Sequence, residues 1–203
     1  MLVIGLCGGS GSGKGEVGRL LSENGIPVID TDAVYRELTS YPGECLSALV
    51  DEFGSEILTE EGSLDRRKLS KIVFTGEGAS ERRLRLNEIS HRFILDETRR
   101  RLGIFEAEGF AAAAVDAPLL FESGFDGECD KTVCVAADRN IRIARIMERD
   151  LITQSEAEKR IDSQIPDTKI KELCDYTVIN NGTVDLLCES VLQVVHDILK
   201  NKR

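Results

Sequence analysis

The chain has 203 residues, of which 41% are apolar and 31% charged, with a formal net charge of −10 at pH 7. That length supports one substantial core with small attachments, and the composition is that of an ordinary soluble globular protein. The acidic balance argues against broad binding to nucleic acid or anionic membrane, which both need cationic surface, and no apolar run approaches the ~20 residues that span a bilayer.

The first residues enter an apolar run with no basic leader and no cleavage site, so no export signal is expected. The six cysteines, Cys7, Cys45, Cys129, Cys134, Cys174 and Cys188, include no C-x-x-C pair and no neighbouring histidine cluster. Metal-ligand spacing is absent. Cys7 and Cys134 fall inside strand-like runs and read as small buried thiols, which fits a reducing cytoplasm.

Residues 2–7 form a short apolar run ending in glycines, the pattern of a buried parallel strand. Gly8 and Gly13 occupy the outer glycine positions of G-x-x-x-x-G-K-[ST], and Lys14 the lysine, so residues 8–14 read as a phosphate-binding loop. The last position departs from the motif: Gly15 stands where a Ser or Thr hydroxyl would serve a metal ion. A helix is expected over residues 14–24, with Val17, Leu20 and Leu21 on one face and Gly25 and Pro27 as the stop. Residues 26–29 then read as a second strand that delivers Asp30 and Asp32 at its carboxyl end. In an extended segment residues two apart share a side, so both carboxylates would face one cleft. One of them is expected to cap the next helix and the other to act in chemistry.

Residues 41–109 interrupt the strand–helix alternation. Helices are expected over 47–53, from Leu64 onward, and over a long amphipathic stretch after Ser80, a candidate cap, with Leu86, Ile89 and Phe93 on one stripe. This stretch has its own apolar faces and reads as a helical insertion. His91 lies within it as one of only two histidines; a lone helical histidine is more often structural than catalytic.

The alternation resumes with a third strand over 111–115, leading into Asp116, Pro118 and Leu119, and a fourth over 131–135. An arginine-rich helix follows, in which Arg142, Arg145 and Arg149 share a face by their spacing. That row reads either as a solvated face paired with Glu148 and Asp150, or as a phosphate clamp; beside a phosphate loop the clamp is favoured. Residues 153–164 suit a short mobile lid. A fifth strand over 175–179 turns at Asn180, Asn181 and Gly182, and a final amphipathic helix ends in Lys200, Lys202 and Arg203. The expected fold is α/β: a three-layer kinase fold with a five-stranded parallel sheet, a helical substrate-binding insertion and a lid. Residues 1–40 and 110–203 would form the nucleotide-binding core, 41–109 the insertion, and 150–166 the lid.

The chain resembles the dephospho-CoA kinase family over nearly its whole length. The resemblance rests on Gly5–Lys14, Val28–Asp32, Gly62–Arg66, Leu86–His91, Asp116–Glu122, the Arg145 and Arg149-Asp150 positions, and Asp175–Gly182. The phosphate loop is generic, whereas Asp-x-Asp, Pro-Leu-Leu-Phe-Glu and Asn-Asn-Gly in this order are more specific. The resemblance implies ATP-dependent phosphorylation of the ribose 3′-hydroxyl of dephospho-CoA, giving CoA and ADP. It implies Asp32 as general base, and Lys14, Arg145 and Arg149 as stabilisers of transferring charge. The loop residues Gly9, Ser10, Gly11, Ser12, Gly13, Lys14, Gly15 and Glu16 would hold ATP, with Asn180 and Gly182 near its adenine. Asp32, Asp65, Arg66, His91, Pro118 and Leu119 would meet the acceptor. Mg²⁺ would be held by its phosphates and water with Asp32 and Asp116, and Glu16 would be placed to lend an oxygen for the absent hydroxyl. The partner is the small-molecule acceptor, with no nucleic acid or membrane, and the protein is expected as a monomer or small homo-oligomer. Arg92 replaces the proline that follows this histidine in the family. Two other readings stay open: a kinase for another small hydroxyl acceptor, and a weak nucleotide-binding relic, for which Gly15 is the argument.

Overall fold

A computed structural model describes residues 1–200; Lys202 and Arg203, expected at the end of the last helix, lie outside the described residues. The chain forms two compact units, one made of Met1–Ile29 with the chain from Ile104 onward, the other of Asp30–Gly103.

The first unit is built on a five-stranded sheet in the order β2-β3-β1-β4-β5. β1 (Leu2–Cys7) lies between β3 (Ala112–Asp116) and β4 (Lys131–Ala136), parallel to both, and β5 (Tyr176–Ile179) runs parallel along β4. β2 (Val28–Asp30) begins two residues later than its sequence pattern suggests, because the Pro27 carbonyl already accepts from Ala114 N–H at 2.8 Å while Pro27 itself has no N–H to give. Every residue of β3 is buried, as expected of a strand covered on both faces.

Alternate residues of the strands face opposite layers. Ile4, Leu6, Ala112, Ala114, Val133, Val135 and Val178 pack with Val17, Leu20 and Leu21 of α1 (Lys14–Glu23) and with Leu187, Val191 and Ile198 of the last helix, Val184–Lys200. The opposite face carries Gly5 and the directly paired Cys7 and Cys134; a methyl group at Gly5 would collide with Cys129 and Leu120. Burying these side chains stabilises the unit by roughly 25 cal/mol for each Å² of apolar surface removed from water.

In the second unit, α2 (Thr31–Leu38), α3 (Glu44–Phe53), α4 (Arg66–Phe74) and α5 (Ala79–Ala107) follow in order, with α5 running on past the unit boundary at Gly103. Its core is Cys45, Leu46, Leu49, Phe53, Ile57, Leu64, Leu69 and Val73, against which Leu86, Ile89 and Phe93 pack as their spacing suggests. α4 starts at Arg66 rather than Leu64, because Leu64 is held in an isolated bridge to Leu58 and Asp65 serves as the cap. Ser80 lies inside α5, which opens at Ala79.

The remaining elements return to the first unit. α6 (Arg139–Asp150), α7 (Gln154–Asp162) and α8 (Asp167–Leu173) run in sequence between β4 and β5, and Val184–Lys200 is α9. α7 opens on a capping box, with Thr153 N–H donating to Glu156 Oε2 at 2.8 Å and Glu156 N–H donating to Thr153 Oγ1 at 3.4 Å. Among the described residues no helix is long and apolar enough to cross a membrane.

Candidate active site

The loop between β1 and α1 is held by side chains from three later elements. Gly13 caps α1 in the left-handed region at φ 90°, and a methyl group there would run into the Asn180 amide. Asn180 is buried just after β5 and donates Nδ2–H to the Ser12 carbonyl at 2.9 Å. Its oxygen accepts from Arg145 Nη2 at 3.3 Å, and Arg145 Nη1 reaches the Gly11 and Ser12 carbonyls at 3.4 Å each. Asn180, Gly13 and Arg145 are therefore one frame around the loop's last turn. Gly182 lies exposed in the following turn.

Arg142 holds the opposite side of the loop. It is only 3% exposed, despite its charge. Its Nε–H donates to the Ser10 carbonyl at 2.8 Å, Nη1 donates to both oxygens of Asp167 at 2.5 and 2.6 Å, and Nη2 to Gln164 Oε1 at 3.1 Å. Gln164 Oε1 also accepts from Ser10 N–H at 2.9 Å. A side chain at Gly9 would occupy the place of the Arg142 guanidinium, so that glycine is required by close approach. The arginine row thus divides. Arg142 is an internal brace, Arg145 is half-buried against the loop, and Arg149 is exposed, pairing with Asp150 at 2.8 Å and reaching Ser10 Oγ at 3.4 Å. Asp150 also pairs with Arg160, and Arg149 first among these partners holds its carboxyl below the usual range.

At the mouth of the loop, Lys14 Nζ donates to Asp116 Oδ1. The two arrive there for topological reasons: β1 and β3 are parallel neighbours with Leu6 paired to Asp116, so the loop after one strand and the last residue of the other meet at one end. Asp116 is buried, and Pro118 and Leu119 are exposed on the segment after it. The Ser12 hydroxyl, 1% exposed, has no hydrogen-bond partner.

Gly15 is exposed on the first turn of α1, and a methyl group there would meet nothing within 4 Å. Glu16, suggested as a source of a compensating oxygen, is turned along the helix instead. Arg19 donates to it at 3.2 and 2.5 Å, and lowers its pKa. The i,i+3 spacing puts that pair on one helix face.

In the second unit, the Asp-x-Asp segment differs from its extended reading. Asp30 is the N-cap of α2, accepting from Asp32 N–H at 2.8 Å and Ala33 N–H at 3.0 Å. Helical geometry begins at Thr31, so the two carboxylates do not share a strand face. Asp32 is exposed on the first turn of α2. Asp65 repeats the capping arrangement on α4, accepting from Arg67 and Lys68 N–H at 3.0 and 3.1 Å, and this leaves Arg66 exposed at the first helical position. His91 is half-buried on α5. Among the described residues no group of three or more His, Cys, Asp or Glu side chains could hold a metal by itself.

A family profile described as dephospho-CoA kinase matches residues 2–185. A dephospho-CoA kinase of Bacillus thuringiensis subsp. konkukian is 40% identical over 184 residues, covering 90% of each chain. Among solved structures, TT1252 from Thermus thermophilus superposes with a TM-score of 0.79 at 30% identity, over 98% of this chain and 97% of that one. A dephospho-CoA kinase from Campylobacter jejuni superposes at 0.71 and 23% identity over the same shares, which shows the fold alone.

Proposed function

The chain belongs to the dephospho-CoA kinase family, and from that membership we propose that it transfers the γ-phosphoryl group of ATP to the ribose 3′-hydroxyl of dephospho-CoA, giving CoA and ADP. The observation that carries this reading is the Lys14–Asp116 pair at the mouth of a glycine loop braced by Asn180, Arg142 and Arg145. Phosphoryl transfer asks a protein chiefly for positioning and for stabilisation of spread negative charge. A loop already fixed by side chains of later elements has little reorganisation left to do when phosphates arrive.

The amides of the loop and the amino end of α1 receive the phosphates, where the helix dipole adds to the attraction. Lys14 exchanges part of its contact with Asp116 for the β- and γ-oxygens. Arg145 and Arg149 add guanidinium charge, Arg149 being the freer to move because it is exposed. Asn180 and Gly182 flank the adenine. Asp32 accepts the proton of the 3′-hydroxyl as its oxygen attacks phosphorus. Arg66, positioned by the Asp65 cap, and His91 bind the acceptor.

The donor set fits Mg²⁺, a hard cation that prefers oxygen and keeps several waters. Asp116 would hold it from the protein side. Bound there, it would neutralise charge on the β- and γ-phosphates. Gly15 has no side-chain oxygen, so a water would take the place of the usual hydroxyl. We place this chemistry in the cytoplasm.

Incubation with ATP, Mg²⁺ and dephospho-CoA, followed by mass spectrometry, tests the assignment. CoA and ADP are expected in equal amounts. ADP formed equally without dephospho-CoA, or phosphorylation of a different small alcohol in preference to it, would overturn it.

A further inference from the structure

Three of the six cysteines meet on one face of the sheet, opposite the α1/α9 layer. Cys7 ends β1, directly before the phosphate loop, and Cys134 is its register partner on β4. Cys174 caps the end of α8, two residues before β5 begins. The Cys7 and Cys174 sulfurs are 3.3 Å apart, in hydrogen-bonding contact. Chain folding brings these thiols together from positions 167 residues apart, so no spacing motif announces them. The phosphoryl-transfer chemistry uses none of them.

From this juxtaposition we infer that Cys7 and Cys174 form a thiol-oxidation site, at which a hydroperoxide converts the pair reversibly to a disulfide. Cys174 is the attacking group. It is half-buried at a helix–strand joint while Cys7 and Cys134 are buried, so a small oxidant reaches it first. The neighbouring Cys134 and Cys7 thiols favour its thiolate and lower its pKa, whereas the same neighbours push Cys7 up. The other thiols lack this arrangement: burial pushes Cys45 up to about 11 and Cys129 up to about 12.

The steps balance. The Cys174 thiolate attacks one peroxide oxygen and the O–O bond breaks. With hydrogen peroxide the leaving hydroxide takes a proton to become water, and sulfur is oxidised to sulfenic acid while peroxide is reduced. The Cys7 sulfur then attacks the sulfenic sulfur, the S–O bond breaks, and the departing hydroxide takes the Cys7 proton as a second water. Two thiols and one peroxide give one disulfide and two waters. Closing 3.3 Å to a bond of about 2.05 Å is a displacement of little more than 1 Å shared between two side chains.

The bond would tie the residue before Gly8 to the end of α8, the helix whose first residue, Asp167, holds Arg142 on the loop. Phosphate binding at the loop is therefore expected to weaken as the disulfide forms, and to recover on reduction. The site itself does not depend on the kinase reading, since the linked peptide is scored directly.

The test treats the full-length protein with hydrogen peroxide, digests it without reductant, and maps linked peptides. The expected result is a Cys7–Cys174 cross-link that dithiothreitol removes, with ATP affinity falling and returning in step. Iodoacetamide at mildly acid pH should modify Cys174 about tenfold faster than Cys188. Cys174→Ser and, independently, Cys7→Ala should abolish the link, while Cys45→Ser should leave it intact. Peroxide that leaves Cys7 and Cys174 as free thiols in the wild-type protein, or alkylation of Cys174 no faster than of Cys188, would overturn the inference.

Discussion

Arg142 Nε–H donates to the Ser10 carbonyl at 2.8 Å while its Nη1 closes on both carboxylate oxygens of Asp167. A buried guanidinium thus joins the phosphate loop to the start of α8. Removing it leaves a carbonyl without its donor and a carboxylate, 27% exposed, without its counter-charge. Breaking such a pair costs more than the pair's net worth, because the abandoned group stays desolvated. Arg142→Met is expected to lower unfolding free energy by about 2 kcal/mol and to raise KM for ATP more than it lowers kcat. Denaturant unfolding and ATP saturation curves check this; unchanged KM together with unchanged stability would contradict the bracing role.

Gly15→Ser should fold at least as well as the wild type. A new Cβ meets nothing within 4 Å, and replacing glycine in a helix by serine is worth up to about 0.5 kcal/mol in propensity. The added hydroxyl is expected to lower the Mg²⁺ concentration for half-maximal activity. If titration with Mg²⁺ gives the same midpoint for both proteins, the idea that Gly15 leaves the metal short of a ligand is wrong.

Leu151 joins α6 to α7 in a left-handed conformation at φ 53°, the one described non-glycine residue with positive φ. It is 90% exposed, so no packing offsets the strain. The Cβ conflict behind that strain costs about 1 kcal/mol, and Leu151→Gly removes it. The variant should unfold at higher temperature than the wild type, whereas Leu151→Val should unfold at lower temperature because branching worsens the clash. A calorimetric scan of both tells the outcomes apart.

Glu97 on α5 accepts from Arg100 at 2.7 and 2.8 Å and from Arg101 at 2.7 Å. The Arg100 guanidinium, against the opposing push of burial and with help from Arg101, brings its pKa down to about 2. The folded pKa is lower than the unfolded one, so this carboxylate stabilises the fold above the usual glutamate range and ceases to do so as pH falls toward 2. Glu97→Gln should therefore cost stability at pH 7 and little near pH 2, with the gap narrowing between about pH 4.5 and 2. A pH-independent difference in urea midpoints would contradict this.

Much of the fold was legible because the chain alternates apolar runs with helical periodicity, and a glycine turn marks where β1 ends. Local spacing was less informative where tertiary partners decide. Their spacing puts Arg142, Arg145 and Arg149 in one row, yet Arg142 lies one turn before the buried Ile146, on the stripe that faces inward. That position was the available signal for a buried role. Its partner Asp167 opens α8, a helix of seven residues, too short to show a period in the sequence. The pattern puts Asp30 and Asp32 on an extended segment, with one of them expected to cap the next helix; Asp30 is that cap, and the extended reading ends there. The cap geometry that ends the strand at Asp30 is set by two backbone N–H groups that need an acceptor, not by any pattern in the neighbouring side chains.

Asp32, proposed as the general base, carries the central claim, because a nucleotide-binding protein without an acceptor has no use for such a base. The decisive measurement compares the wild type with Asp32→Asn in single turnover, with ATP, Mg²⁺ and dephospho-CoA, following ³¹P NMR signal at the ribose 3′ position. Phosphorylation at the 3′-oxygen by the wild type, slowed by about 10²–10⁴ in the variant while ATP still binds, is the predicted result. A wild type that places no phosphate on that oxygen, or a variant that does so at the wild-type rate, would contradict the account.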